Sequence, residues 1–84
     1  MENEDKLIID ESRSKTNKII ASGFYKKKMY QKAVDHFEIA IKLNPNDLSL
    51  YESCFLANFY ALNFKKALEY AKKIEKYETT PSVI

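Results

Sequence analysis

The sequence predicts an all-α fold, two tandem antiparallel hairpins made from four helices, and three observations predict it. Turn formers are scarce: one Gly and two Pro in 84 residues cannot supply the tight turns of a β-sandwich or barrel. Apolar residues recur three and four positions apart through most of the chain, the spacing that stacks side chains on one helix face. The same pattern then returns 34 residues later. With 45% hydrophobic and 31% charged residues, the composition suits one small domain that buries a modest core with a thin stability margin.

The first helix is expected over 14–27, where Ile20, Ala21 and Phe24 share a face with Asn17 one turn earlier. Ser14 is its expected start, since a hydroxyl can accept from the free amides of a first turn. Lys28-Met29-Tyr30 reads as a short turn. The second helix, 31–43, carries an apolar stripe of Ala33, Val34, Phe37, Ala40 and Ile41. Asn44-Pro45-Asn46-Asp47 ends it, because proline disfavours helix in the preceding residue and Asp47 can cap the next helix. The third helix, 48–61, places Tyr51, Cys54, Phe55 and Asn58 together. A break at Leu62-Asn63 precedes the fourth, 64–77, with Ala67, Leu68, Ala71, Ile74 and Tyr77, and the tail from Thr79 to Ile84 is expected to fray.

The repeat is the most informative feature. Ala33 and Ala67, Tyr30 and Phe64, and Lys32 and Lys66 are each 34 apart. The first copy reads Asn17-x2-Ile20-Ala21-x2-Phe24, then Ala33-x3-Phe37, then Pro45, closing on Lys42-Leu43-Asn44-Pro45. The second reads Tyr51-x2-Cys54-Phe55-x2-Asn58, then Ala67-x3-Ala71, with Thr79 where proline is expected. This pattern resembles the tetratricopeptide repeat, a helix-turn-helix unit of that period. The resemblance implies a fragment of an α-solenoid, with an acidic segment over 1–13, repeats over 14–47 and 48–79, and a tail over 80–84. The small residues Ala33, Ala40 and Ala67 would let helices approach closely while Phe24, Phe37 and Phe55 fill the space between them.

Charge and targeting features narrow the function. Residues 1–11 hold five acids against Lys6, whereas 12–34 hold seven bases (Arg13, Lys15, Lys18, Lys26, Lys27, Lys28, Lys32) and no acid. A basic hairpin of this kind would steer acidic partners. The acidic start, apolar runs of only a few residues such as Leu7-Ile8-Ile9, and the single Cys54 argue against a secretory signal, a mitochondrial presequence, a membrane span and a disulfide framework, so the cytoplasm is the expected compartment. His36 is expected on the surface and Cys54 in the core; one of each, without paired spacing, gives no metal site, cofactor site or catalytic constellation. The chain is therefore expected to be no enzyme.

In stacked tetratricopeptide hairpins the first helix of each pair lines a concave face on which extended peptides dock. The resemblance thus implies a binding groove of Lys15, Lys18, Ser22, Tyr25 and Lys26 with Ser53, Leu56, Phe59 and Tyr60, next to Ser49 and Glu52. Such a groove would take a peptide or protein partner, suited to an acidic or C-terminal peptide with an apolar anchor. One sub-family, of co-chaperones and import receptors, holds the acidic tails of heat-shock chaperones in a carboxylate clamp. Lys18 and Tyr25-Lys26-Lys27-Lys28 are similar to its first repeat, while Ser22 and Ser53 stand where its asparagines belong. Two other readings stay open. Phe59 and Tyr60 could pack against a missing neighbour or a second copy, and the apolar face of Tyr70, Ile74 and Tyr77 could be covered by a homodimer joined through the second hairpins, by a larger partner, or by a folding-back of Val83 and Ile84. The lysines between Tyr25 and Tyr30 could meet nucleic acid, although a net charge of +2 and the absence of a nucleic-acid motif disfavour this.

Overall fold

The computed structural model describes residues 9–78. Over them the chain forms four helices and no strand: α1 (Glu11–Lys26), α2 (Tyr30–Leu43), α3 (Leu48–Tyr60) and α4 (Phe64–Glu78). Each helix packs on the next in sequence, which gives two antiparallel hairpins, α1–α2 and α3–α4, joined by the α2–α3 contact. Residues 1–8 of the acidic segment expected over 1–13, and the tail from Thr79, lie outside the described residues, whereas residues 11–13 belong to α1. Among the described residues, no helix is long and apolar enough to cross a membrane.

The helix ends obey local chemistry. Asp10 caps α1, its carboxylate accepting from the Arg13 amide at 2.9 Å. The helix therefore starts three residues before the expected position, and Ser14 has another task. Its hydroxyl is buried and donates to the Ala40 carbonyl at 2.8 Å, tying α1 to α2. Asp47 does cap α3, accepting from the Ser49 amide at 3.0 Å. The two hairpin turns are the same structure 34 residues apart. Lys28 and Leu62 both adopt the left-handed region, with φ of 64° and 69°. The amides of Met29 and Asn63 donate to the Phe24 and Asn58 carbonyls, and those of Lys28 and Leu62 to Tyr25 and Phe59. These are the paired bonds of a Schellman motif, built here without glycine.

The core runs through Ala21, Ala33, Val34, Phe37, Ala40, Leu50, Cys54 and Ala57, with Phe24, Tyr25, Ile41, Ala61 and Tyr70 packed around it. Ala33 and Ala67 are both buried, as a close helix approach requires. Leu50 and Ala57 lie off the expected α3 stripe. They are buried because α3 lies between α2 and α4 and is covered on two sides. The outer helices behave oppositely. Ile20 on α1 and Leu68 on α4 are expected to face inward, yet both are exposed, since a helix with one neighbour buries only a narrow stripe.

Several polar groups are satisfied inside. Buried Asn58 donates to the Cys54 carbonyl at 2.8 Å and accepts from Asn63 at 3.1 Å. Glu38 of α2 accepts from Lys66 at 2.9 Å and from the Tyr70 hydroxyl at 3.2 Å, linking the hairpins. Burial holds the Tyr70 phenol well above its usual range, so it serves as a donor. His36, expected on the surface, is half-buried: its ring stacks on Phe24 at 5.6 Å and Nδ1 lies 3.0 Å from the side-chain Oδ1 of Asn17. This contact explains why Asn17 lies on the inward side of α1.

Candidate functional site

The first helices of the two hairpins, α1 and α3, present their free faces on the same side of the molecule. Ser22, Tyr25 and Lys26 are three and four residues apart, and Ser53 and Leu56 three apart, so each set projects from one face of its helix. Together with the buried ring of Phe37 as floor, these five line a cavity of about 180 Å³. A space of that order accepts one aromatic or branched side chain, since a cavity of ~150 Å³ holds benzene. It is well below the ~300–1,000 Å³ of a drug-sized ligand site.

Tyr25 joins the cavity to a cluster of aromatic rings. Tyr25 meets Tyr30 edge-on at 5.4 Å and Tyr60 at 6.1 Å, and Tyr30 stacks on Tyr60 at 5.3 Å. Burial first, then Tyr60 and Tyr30, push the Tyr25 phenol above its ordinary value, so its hydroxyl stays protonated and able to donate. Among the described residues, Lys26 is the one cation on the cavity wall and no carboxylate lines it. The other polar groups of its lining side chains are the hydroxyls of Ser22, Tyr25 and Ser53.

Five of the nine expected groove residues thus meet at one mouth, and Tyr60 joins them through Tyr25. The other three do not. Phe59 turns away from the cavity, against Tyr60 at 5.6 Å and Phe64 at 5.7 Å. Lys15 and Lys18 line a separate hollow of about 160 Å³ with Glu11, Ser14, Asn44 and Asp47. There Lys18 donates to the Ser49 hydroxyl at 2.8 Å and sits 3.8 Å from the Asp47 carboxylate. Ser49 donates in turn to Asp47 at 2.7 Å. The Ser49 hydrogen bond and then Lys18 hold the Asp47 carboxyl below its usual range, against the opposing effect of burial. The positive charge of Lys18 is therefore already matched within the chain.

Two participants escape sequence reasoning. Phe37 reads as wholly core, and its position at the motif's aromatic step gives no sign that one edge forms a cavity floor. Tyr30 reads as part of a turn, although its pairing with Phe64 across the 34-residue period marks it as structurally important. Cys54 is fully buried, and burial pushes its thiol up to about 11, which leaves it protonated at neutral pH. Among the described residues, no three His, Cys, Asp or Glu side chains are grouped to hold a metal ion.

No family model matches the chain, and no solved structure matches it. The chain is similar to Hsp70-Hsp90 organizing protein 3 of Arabidopsis thaliana, with 43% identity over 49 residues. The matched stretch covers 58% of this chain and only 8% of that protein. The arrangement of four helices in two hairpins is consistent with the tetratricopeptide pattern read from the residues.

Proposed function

We propose that this chain is a non-catalytic protein-interaction module that holds a peptide of a partner protein in the groove between α1 and α3. The observation that carries the reading is the cavity lined by Ser22, Tyr25, Lys26, Phe37, Ser53 and Leu56. Its size and apolar floor suit a single anchoring side chain. Lys26 at its wall suits a carboxylate next to that anchor, and the two serine hydroxyls add hydrogen-bond capacity. The resemblance to a segment of an Hsp70-Hsp90 organizing protein supports a protein partner in general. It also favours a second reading, in which the ligand is the acidic tail of a heat-shock chaperone.

Titration calorimetry tests both. The probe is an acidic peptide that ends in an apolar residue with a free carboxylate; synthetic C-terminal peptides of Hsp70 and Hsp90 are run beside it. Lys26→Ala and Leu56→Ser should each weaken binding about fivefold or more, and added salt should weaken it further. Lys18→Ala separates the readings. A chaperone clamp needs that lysine, whereas a groove centred on Lys26 loses little, because Asp47 already engages Lys18. Binding that ignores Lys26, Leu56 and salt alike overturns the groove.

A further inference from the structure

The second hairpin carries an apolar face that the groove does not use. Phe55 and Phe59 stack at 6.3 Å, Phe59 meets Phe64 at 5.7 Å, and Leu68 lies one helical turn beyond Phe64. Leu62, in the turn, borders the same hollow as Phe64. Phe59 is 47% exposed, Phe64 and Leu68 56% each, and Leu62 72%. The sequence points to Tyr70, Ile74 and Tyr77 for the apolar surface of this hairpin. Of these, Tyr70 turns inward to Glu38, whereas Tyr77 meets Tyr51 at 6.2 Å and remains 48% exposed.

We propose that this face is a self-association surface and that its occupant is a second copy of the chain. Area is the first argument. At ~150–250 Å² for a whole aromatic side chain, Phe59 and Phe64 leave roughly 200 Å² exposed, and Leu62 and Leu68 bring the apolar surface to about 400 Å². Interfaces are about 60% apolar, so a patch of that size serves as the centre of an interface of roughly 700 Å² on each copy. Two copies then bury about 1,400 Å², within the ~1,200–2,000 Å² range of stable complexes.

Charge is the second argument. Fourteen bases against twelve acids leave a net charge of only +2, so two copies meet with little repulsion. Exposed Lys65 and Glu69 flank the level of Leu68 on α4. A two-fold axis between their levels sets Lys65 of each copy toward Glu69 of the other and brings the two Leu68 side chains together near the axis. None of Phe59, Leu62, Phe64 and Leu68 lines the groove cavity.

Sedimentation across a wide concentration range, about 1–500 μM, tests the inference directly. The weight-average mass should rise from 9.8 kDa toward twice that value. Phe64→Glu and Leu68→Lys should each weaken the dimer about tenfold or more. Neither variant disturbs the core, because both side chains are more than half exposed, and an acid in the first turn of α4 favours the helix. Unchanged helical circular dichroism verifies that they fold. A parent protein that stays at 9.8 kDa throughout overturns the proposal, as does a dimer that survives both substitutions. Neither residue lines the peptide cavity, so failure here leaves the groove reading untouched.

Discussion

Lys28→Gly should stabilise the protein, for a reason visible only in the backbone. Lys28 sits at φ 64° in the Schellman turn that ends α1. An L-residue there brings Cβ against the following carbonyl oxygen, at a cost of roughly 1–2 kcal/mol. Glycine removes that cost and keeps the turn's hydrogen bonds from the Lys28 and Met29 amides. Against this, glycine widens the unfolded ensemble by roughly 0.4–1 kcal/mol. The difference is a net gain of about 0.5–1 kcal/mol, or about 2–8 °C in melting temperature for a domain of this size. Thermal melts monitored by circular dichroism, with urea titration as a second measure, provide the assay. Lys28→Ala is the control, since alanine removes the charge and the stem but keeps Cβ. If glycine destabilises, or if alanine gives the same gain, the left-handed strain is not what limits this turn.

Packing and acid each give a further expected outcome. Ala33→Leu and Ala67→Leu place extra methylenes at fully packed positions, and each should cost ~1–3 kcal/mol; parent-like melting of both would show that these alanines have room beside them. Acid should weaken the fold partly through Asp47. Its folded pKa lies below the unfolded value of roughly 3.9, so its contribution is present above that value and is lost as pH falls through the folded pKa. Melting temperature should therefore drop between about pH 5 and pH 2, and drop less in Asp47→Asn; identical profiles would assign the acid sensitivity to other carboxylates.

The number, order and approximate limits of the helices are legible in the sequence because they rest on local information. Spacing of three and four, Pro45, the Asp47 cap and the scarcity of turn residues act within a few positions of themselves. The 34-residue echo of Ala33 in Ala67 likewise carries the hairpin arrangement, since a small residue marks a close helix crossing wherever it recurs. Limits of the local view are equally specific. Ser14 has the chemistry of a cap, but Asp10 takes that role and the Ser14 hydroxyl finds Ala40 instead, a partner 26 positions away. Which apolar residues end up covered depends on how many neighbours a helix has. Leu50 on sandwiched α3 is buried, while Ile20 and Leu68 on the outer helices are not. The groove divides for the same reason. Helical periodicity puts Lys18 and Lys26 on related faces of α1, yet only tertiary packing brings Asp47 and Ser49 up to Lys18 and leaves Lys26 at an apolar cavity. The sequence by itself determined the helices and the faces they offer. Tertiary structure alone decided which of those faces meet, because burial and charge pairing depend on distances between residues that the chain keeps far apart.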